Sequence, residues 1–228
     1  NALQKKQNEF SLRPSDKRNV KGLIKLGSPI FFASYYLMPF IQQFEESYPK
    51  IQFEINLGGA TRVMPKLVDG ELDFVITDFG HWLNTYKNQC VLSPFFKENL
   101  IMVCSQKYAL DNRHSLKDVN QMRKLNFVAY TKQLYGPKRW FKHHFNTSLK
   151  SFPHFIVLDN VDVIFSAVKH DLGLGLLPYE LVKDDLRNKK IIEIKSKKER
   201  LKNMVGTISL NNKFPIQAEK LFLLKLSE

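Results

Sequence analysis

The sequence lacks the features that mark membrane-spanning and secreted proteins. No uninterrupted run of about 18 apolar residues occurs, which excludes a membrane-spanning helix. The N-terminus has no basic segment followed by an apolar one, so it does not match a signal peptide. An initiator Met is also absent. The chain is therefore expected to be a processed product or a piece of a longer protein, with no membrane partner.

Cysteine is scarce, and its spacing excludes the common metal and redox motifs. Cys90 and Cys104 match neither a C-x-x-C pair nor a zinc site. Cys104 lies in the apolar run LIMVCS, which predicts a buried free thiol and, with it, a reducing, cytoplasmic environment. A redox pair is the alternative. His143 and His144 are adjacent, so on a helix they point to different sides. No third ligand is suitably spaced, and the sequence predicts neither a metal nor a cofactor.

Acidic residues are outnumbered by basic ones. The 35 Lys and Arg against 22 Asp and Glu give a net charge of +13, which indicates either a solvated Lys-rich surface or an anionic partner. An Arg-rich helix interleaved with aromatic residues, expected for direct reading of nucleic acid, is missing. The most basic stretch, residues 187–202, is interpreted as an edge strand protected by lysines. A contact with the DNA backbone is the alternative.

One acidic stretch, LVDGELDFVITD (residues 67–78), could suggest a metal or acid–base site. A calcium loop needs carboxylates at alternate positions before its glycine, and that series is absent. Gly70 instead matches the left-handed residue that ends a helix. Asp69 and Glu71 then flank the turn, and Asp73 opens the next strand. The stretch is therefore interpreted as the junction of a helix and a strand.

The order of strand and helix patterns predicts an α/β fold. VKGLIKLGSP, IQFEINLGG and LDFVIT read as strands separated by helical segments, a pattern typical of a parallel sheet. NFVAY opens a second series, which continues through HFIVL and LGLGLLP. Two series predict two lobes, with chain crossings near Val103 to Gln106 and near Met204 to Ser209. The predicted division is a connector (residues 1–19), lobe I (20–105 plus 206–228) and lobe II (106–205).

Four motifs, in their order along the chain, resemble the effector-binding domain of LysR-type transcriptional regulators. They are GLIKLGSP, YLMPFIQQFEESYPKIQFEI, LVDGELDFVIT and AVKHDLGLGLLPYELV, and the resemblance covers about residues 20 to 228. It implies a two-lobed fold of the type 2 periplasmic-binding-protein kind, with an effector cleft between the lobes. It also implies homodimers or homotetramers, for which Tyr35, Phe40 and Phe44 are candidate contacts. Promoter DNA would be bound through an N-terminal winged helix-turn-helix domain, to which nothing in this sequence corresponds; residues 1–19 look like the end of the linker helix.

Ligands of open α/β sheets lodge beyond the carboxyl ends of the strands, where helix N-termini favour anions. By resemblance, four loops at such ends line the effector pocket. Their candidate residues are Ser28, Pro29, Gly58, Gly59, Ala60, Thr61, Tyr130, Thr131 and Asn160. Ser28, Thr61 and Asn160 are equally explained as residues that cap helices.

The resemblance also bears on the kind of effector. Phe31 and Phe32 stand where many members of the family have small polar residues. This departure favours an apolar or aromatic effector, whereas the helix N-termini favour an anionic one. The alternative is that both rings pack in the core. The predicted function is effector sensing without catalysis, because no nucleophile–base pair is evident. A periplasmic solute-binding protein and an enzyme of the same fold are the alternatives; the charged connector and the lack of an obvious disulfide favour the regulator.

Overall fold

In the computed structural model of the protein, residues 17–148 and 154–228 are described. The predicted connector therefore lies almost entirely outside the described residues. Within them, no helix combines the length and apolar character needed to cross a membrane.

Strands and helices alternate along most of the chain, as predicted. The strands are β1 (Gly22–Ser28), β2 (Ile51–Leu57), β3 (Phe74–Asp78), β4 (Cys90–Ser105), β5 (Asn126–Ala129), β6 (His154–Val157), β7 (Leu174–Pro178), β8 (Ile191–Glu193) and β9 (Leu201–Leu210). The helices are α1 (Ile30–Phe32, Ala33–Leu37 and Met38–Ser47), α2 (Ala60–Val68), α3 (Gln106–Asp111), α4 (Val119–Met122), α5 (Tyr135–Phe145), α6 (Val161–Lys169), α7 (Tyr179–Arg187) and α8 (Gln217–Leu226). Short 3₁₀ turns occupy His81–Thr85 and Ser115–Lys117.

The chain divides into two compact units. Unit 1 runs to Phe95 and resumes at Gly206–Glu228, and unit 2 is Phe96–Val205. Both changes of unit fall within continuous strands, β4 and β9. The sequence motifs place the first crossing further along, near Val103 to Gln106, because VLSPFF and ENLIMVCS read as two strands. The structure joins them into one, so no break in the sequence pattern marks the boundary.

Unit 1 contains a sheet with helices on both faces, and three of its strands are parallel. Its strand order is β2-β1-β3-β9, and β1 pairs in parallel with both β2 and β3. On one face, the rings of α1 and α8 pack together: Phe222 lies 5.2 Å from Phe44 and 5.1 Å from Phe40, measured between centroids. On the other face, α2 buries Val63 and Met64 with no exposed surface. Apolar residues on both faces of these strands thus hold the sheet in place.

The start of α1 departs from a regular helix. Ala33–Leu37 is π-helical, and the regular α-helix begins at Met38, one residue before Pro39. Proline has no N–H and its ring disfavours a regular preceding turn, which accounts for the change of helix type at this position. Phe31 and Phe32 are each 5% exposed. Both rings therefore belong to the core of unit 1.

Unit 2 repeats the same plan with a mixed sheet. β5 pairs in parallel with β6 and β7, and β4 pairs antiparallel with β7 and β8. One core lies beneath α5, where Trp140 and Phe141 are buried with Phe127. A second core lies beneath α6 and α7, around Ile164 and Val182. Each unit therefore presents the carboxyl ends of adjacent parallel strands at one edge of its own sheet.

The acidic stretch at residues 67–78 is a junction between a helix and a strand, as predicted. Gly70 has a φ of +76° and follows the end of α2. Its amide hydrogen bonds to the Leu67 carbonyl, and the Glu71 amide bonds to the Lys66 carbonyl. Asp73 accepts a hydrogen bond from the Lys25 amide at 2.6 Å, which ties the turn to β1. No group of three metal-ligating side chains occurs in residues 17–148 and 154–228.

Candidate functional site

The two candidate loops of unit 1 are joined to each other. Ser28 ends β1 and Leu57 ends β2, and these residues are partners in the parallel register. The Gly58 amide donates a hydrogen bond to the Ser28 carbonyl at 3.0 Å, so the pairing continues one residue beyond the strands. The structure thus brings the Ser28–Pro29 turn and the Gly58–Thr61 turn together at the carboxyl edge of the sheet, the usual ligand position in open α/β sheets.

Ser28 does not cap the helix that follows. Its side chain is fully buried, and its hydroxyl donates to the Pro29 carbonyl at 3.3 Å. The N-cap position is Pro29, which offers no side-chain hydrogen bond, and the helical turn begins at Ile30. The interpretation of Ser28 as an N-cap is therefore wrong, because β1 continues through Ser28 and the helix begins only at Ile30, which leaves Pro29 at the cap position. The Ser28 hydroxyl is covered in this conformation.

The Gly58–Thr61 turn leads directly into α2. Gly59 is the N-cap, so the first-turn amides of α2 receive no side-chain acceptor from the cap. Thr61 is exposed in that first turn and is not the capping residue, which corrects the alternative interpretation. Unpaired amides and the helix dipole give this end a partial positive charge, which suits an anionic group.

Arg62 adds a full positive charge beside this turn. A Cβ placed on Gly58 would lie 2.7 Å from Cδ of Arg62, so the arginine side chain crosses directly over the glycine. Glycine at this position thus permits the close approach of a cationic side chain to the loop backbone. Arg62 has no signal in the sequence that would assign it to this loop, because its position over Gly58 depends on how α2 leaves the strand.

An open groove of about 430 Å³ flanks the two loops within unit 1. Its apolar surface includes Ile30 and Leu57, which are 41% and 43% exposed. At its cationic end, Lys66 Nζ donates to Asn56 Oδ1 at 2.6 Å and lies 3.8 Å from Glu71. Apolar walls beside cations suit a molecule with an apolar body and an anionic group. The lining residues are Ile30, Ile55, Asn56, Leu57, Arg62, Val63 and Lys66.

The candidate loops of unit 2 also share an edge. Tyr130 and Thr131 follow β5, and Asn160 follows its parallel neighbour β6. The Leu158 amide bonds to the Ala129 carbonyl at 3.0 Å, which extends the pairing to the loop. Tyr130 is 40% exposed and Thr131 is half-buried. The two loops of unit 2 therefore follow neighbouring parallel strands, as the loops at Ser28 and Gly58 do within unit 1.

Asn160 is the N-cap of α6, as the capping alternative predicts. Its Oδ1 accepts hydrogen bonds from the amides of Asp162 at 2.8 Å and Val163 at 3.1 Å. These bonds satisfy the first-turn amides that an anion would otherwise reach. The Nδ2 group of Asn160 is left to contact a ligand, and it can only donate hydrogen bonds.

Of the remaining candidates for metal or redox chemistry, His144, Cys90 and Cys104 are buried side chains. His144 is 9% exposed, and its Nδ1 lies 2.6 Å from Ser196 Oγ. Burial, followed by the positive charges of His143 and Lys198, lowers the pKa of His144 to about 4. Cys90 and Cys104 are both free and buried. Burial raises the pKa of Cys104 to about 12, so the thiol is protonated and unreactive, which confirms the predicted buried free thiol.

Comparison with known proteins identifies a matching family and several relatives of the chain. The family described as the LysR substrate binding domain matches residues 17–226. The HTH-type transcriptional regulator CysB of Haemophilus influenzae is 26% identical over 157 residues, covering 68% of this chain and 47% of the relative. The chain spans about half the length of the curated relatives it matches, 47% to 56% for CysB and for CysL of Bacillus subtilis.

Solved structures show the same fold. The cofactor-binding domain of the Cbl transcriptional regulator has a TM-score of 0.74 at 19% identity, covering 93% of this chain and 90% of its own. The effector-binding domain of QuiR, in complex with shikimate, has a TM-score of 0.70 at 16% identity, covering 91% of this chain and 96% of its own. The predicted α/β fold, of the two-lobed type 2 periplasmic-binding-protein kind, is thereby confirmed.

Proposed function

The chain belongs to the LysR substrate-binding domain family, and on that basis we propose that it senses a small-molecule effector for a transcription regulator. The observation that carries this proposal is the carboxyl edge of unit 1, where two loops, an uncapped helix N-terminus and Arg62 meet. The regulator would bind promoter DNA through a helix-turn-helix domain. The relatives CysB and CysL are named as HTH-type transcriptional regulators, which supports this arrangement.

The effector that unit 1 fits best is an anion with an apolar or aromatic body. The first-turn amides of α2 and the Arg62 guanidinium favour a carboxylate or a similar group. Ile30 and Leu57 offer exposed apolar surface beside them. Shikimate, with which QuiR is in complex, has a carboxylate and agrees with the anionic part of this chemistry, whereas its ring is polyhydroxylated. We infer that the chain binds its effector without converting it, since the named relatives are regulators rather than enzymes.

We further propose that the loops of unit 2 also bind an effector. Thr131 has a hydroxyl, Tyr130 an exposed ring and Asn160 two amide donors, which suit the polar part of a ligand. Binding would act by shifting a conformational equilibrium, and only the difference in affinity between two states can do so. Coupling of this kind is typically about 1 to 3 kcal/mol.

Self-association remains part of the proposal, as a homodimer or homotetramer. Tyr35 is 44% exposed on α1 and Phe40 is half-buried, so both can contact another subunit. Phe44 is 2% exposed and packs on Phe222, so it belongs to the core and not to such a contact. The free thiols of Cys90 and Cys104 support a reducing, cytoplasmic location.

A thermal-shift screen of aliphatic and aromatic carboxylic acids tests the proposed function. The acid that raises the melting temperature most is then titrated against Thr61→Val and Arg62→Gln, with Arg123→Gln as a control that removes the same charge from an exposed site of unit 2. We expect Arg62→Gln to weaken binding about tenfold or more, as loss of a charge-assisted hydrogen bond does, and the control to leave it unchanged. Equal stabilisation of all variants would overturn the assignment of the unit 1 loops.

A further inference from the structure

Unit 2 has a strongly basic surface that effector sensing does not use. It is formed by the exposed side of α5 and by residues 195–202, which follow β8 and include the first two residues of β9. We call this surface the α5 basic face. Its cations are Lys138, Arg139, Lys142, Lys195, Lys197, Lys198, Arg200 and Lys202, and Glu199 is the only acidic residue in the two segments. The surface therefore contributes +7 of the chain's net charge of +13.

The two segments are held against each other by specific hydrogen bonds. His143 Nε2 lies 2.9 Å from the Glu199 carbonyl, and His144 Nδ1 lies 2.6 Å from Ser196 Oγ. Arg139 donates to the Lys202 carbonyl at 2.5 Å and to Asn203 Oδ1 at 3.0 Å. The lysines of residues 195–202 are thus fixed beside those of α5, and the basic stretch is part of a defined surface.

Some of these cations interact with other groups of the protein, and most of them do not. Arg200 forms a bidentate pair with Glu193, at 3.0 and 2.8 Å, and stacks 4.0 Å over the Tyr179 ring. Lys202 donates to Asn99 at 2.6 Å. Across residues 17–148 and 154–228, no carboxylate forms an ion pair with the other lysines of the surface, which are Lys138, Lys142, Lys195, Lys197 and Lys198. The positive charges of these five lysines repel one another, and a bound polyanion would reduce that repulsion.

The surroundings favour a nucleic acid backbone over a protein. Protein interfaces have an apolar centre with few charged residues. Tyr135, the first residue of α5, is 43% exposed, and among the other described residues of 136–148 and 189–205 no large apolar side chain is exposed. Stacking on single-stranded bases requires a series of exposed aromatic rings, and the other aromatic residues in the body of α5, Trp140 and Phe141, are buried, at 1% and 0% exposure. Lysines with a single exposed aromatic ring beside them fit closely spaced phosphates, as on duplex DNA.

We propose that the α5 basic face binds the sugar–phosphate backbone of duplex DNA without reading its sequence. The contact goes beyond effector sensing, because it lies outside all four candidate loops and needs no effector. In a regulator that binds a promoter through a separate domain, it would add affinity and favour one path of the flanking DNA. The partner is identified by charge alone, so binding depends steeply on salt.

Fluorescence anisotropy of a labelled 30-bp duplex of arbitrary sequence tests this proposal, with the effector-free chain titrated between 50 and 200 mM NaCl. The test variant combines Lys138→Gln, Lys142→Gln, Lys197→Gln and Lys198→Gln. The matched control combines four exposed lysines elsewhere, Lys87→Gln, Lys117→Gln, Lys124→Gln and Lys220→Gln. Both variants lower the net charge by the same amount. Melting temperatures verify that both are folded. Lys138 is half-buried and the other seven lysines are exposed, and surface substitutions of this kind have small effects on stability.

We expect the parent chain to bind at 50 mM NaCl and the test variant to bind at least tenfold more weakly. The slope of log affinity against log salt should fall in magnitude by about 3 to 4 in the test variant, at about 0.9 for each lost phosphate contact. The control should retain affinity within about threefold. No binding by the parent, or an equal loss in the control, would overturn the proposal. Displacement of the duplex by polyglutamate as readily as by unlabelled duplex would assign the surface to acidic proteins instead.

Discussion

At the scale of single residues, Lys213 shows why an acidic stretch need not be a catalytic site. It forms an ion pair with Asp73, the carboxylate that opens β3, and lies 3.4 Å from Glu219 of α8. Glu219 is 3% exposed, and burial followed by the charge of Asp73 raises the pKa of its carboxyl. The lysine thus compensates two carboxylates of unit 1, and Asp73 joins the strand to the C-terminal helix.

Replacing Lys213→Met should destabilise the protein by about 3 kcal/mol, because it leaves two buried or half-buried carboxylates facing each other. Urea denaturation at pH 7 measures the loss, and the exposed Lys220→Met is the control. Adding Glu219→Gln to Lys213→Met should restore part of the stability, since it removes one of the two charges. If Lys213→Met were no less stable than Lys220→Met, this role of Lys213 would be contradicted.

His144 makes stability depend on pH in a predictable direction. Its folded pKa of about 4 lies below the ordinary value of 6.5. Between these values the unfolded chain binds a proton that the folded chain does not, so stability falls as the pH drops below about 6.5 and the loss is complete below about 4. The groups acting on His144 are His143, Lys198 and Glu193.

Urea denaturation at pH 7.5 and pH 5.0 measures the His144 effect. The difference in unfolding free energy between the two pH values should be smaller in His144→Gln than in the parent chain, whatever the overall stability of the variant. His143→Gln, at the neighbouring half-buried position, should keep most of the parent's difference. An unchanged difference in His144→Gln would show that other groups cause the pH dependence.

At the scale of elements, the sequence predicted strands and helices more reliably than the residues at their ends. Ser28 and Asn160 both precede apolar helical patterns, yet only Asn160 is an N-cap. Ser28 pairs with Leu57 as the last residue of β1, a tertiary interaction that its local sequence does not reveal. The single strand β4 is a similar case, because Pro94 and Lys97 interrupt its apolar pattern without ending it.

Substitution of Gly70 tests whether a left-handed residue follows the end of α2. A Cβ at Gly70 would meet no heavy atom within 4 Å, so Gly70→Ala changes only the backbone preference at φ +76°. We expect Gly70→Ala to lower the unfolding free energy by about 1 kcal/mol, and Gly70→Asn to lower it less, since asparagine tolerates this conformation better. Equal stability of Gly70→Ala and the parent in urea denaturation would contradict the left-handed C-cap.

At the scale of the whole molecule, the fold follows from the order of β/α patterns, whereas the candidate site follows only in part. The loops at Ser28, Gly58, Tyr130 and Asn160 are candidates from the sequence because they come directly after strands. Arg62 is not, since its side chain reaches the candidate loop only through the path of α2 over Gly58. The α5 basic face also joins segments that are far apart in sequence and are connected by the hydrogen bonds of His143 and Arg139.

We propose that a small-molecule effector binds at carboxyl-edge loops, those of unit 1 and those of unit 2. Hydrogen–deuterium exchange, with and without the carboxylic acid that most raises the melting temperature, tests it most directly. Amides in residues 28–33 and 58–63 of unit 1 and in residues 130–134 and 159–163 of unit 2 should exchange more slowly in the presence of the ligand. A ligand that binds at saturation while leaving all four segments unprotected would contradict the account.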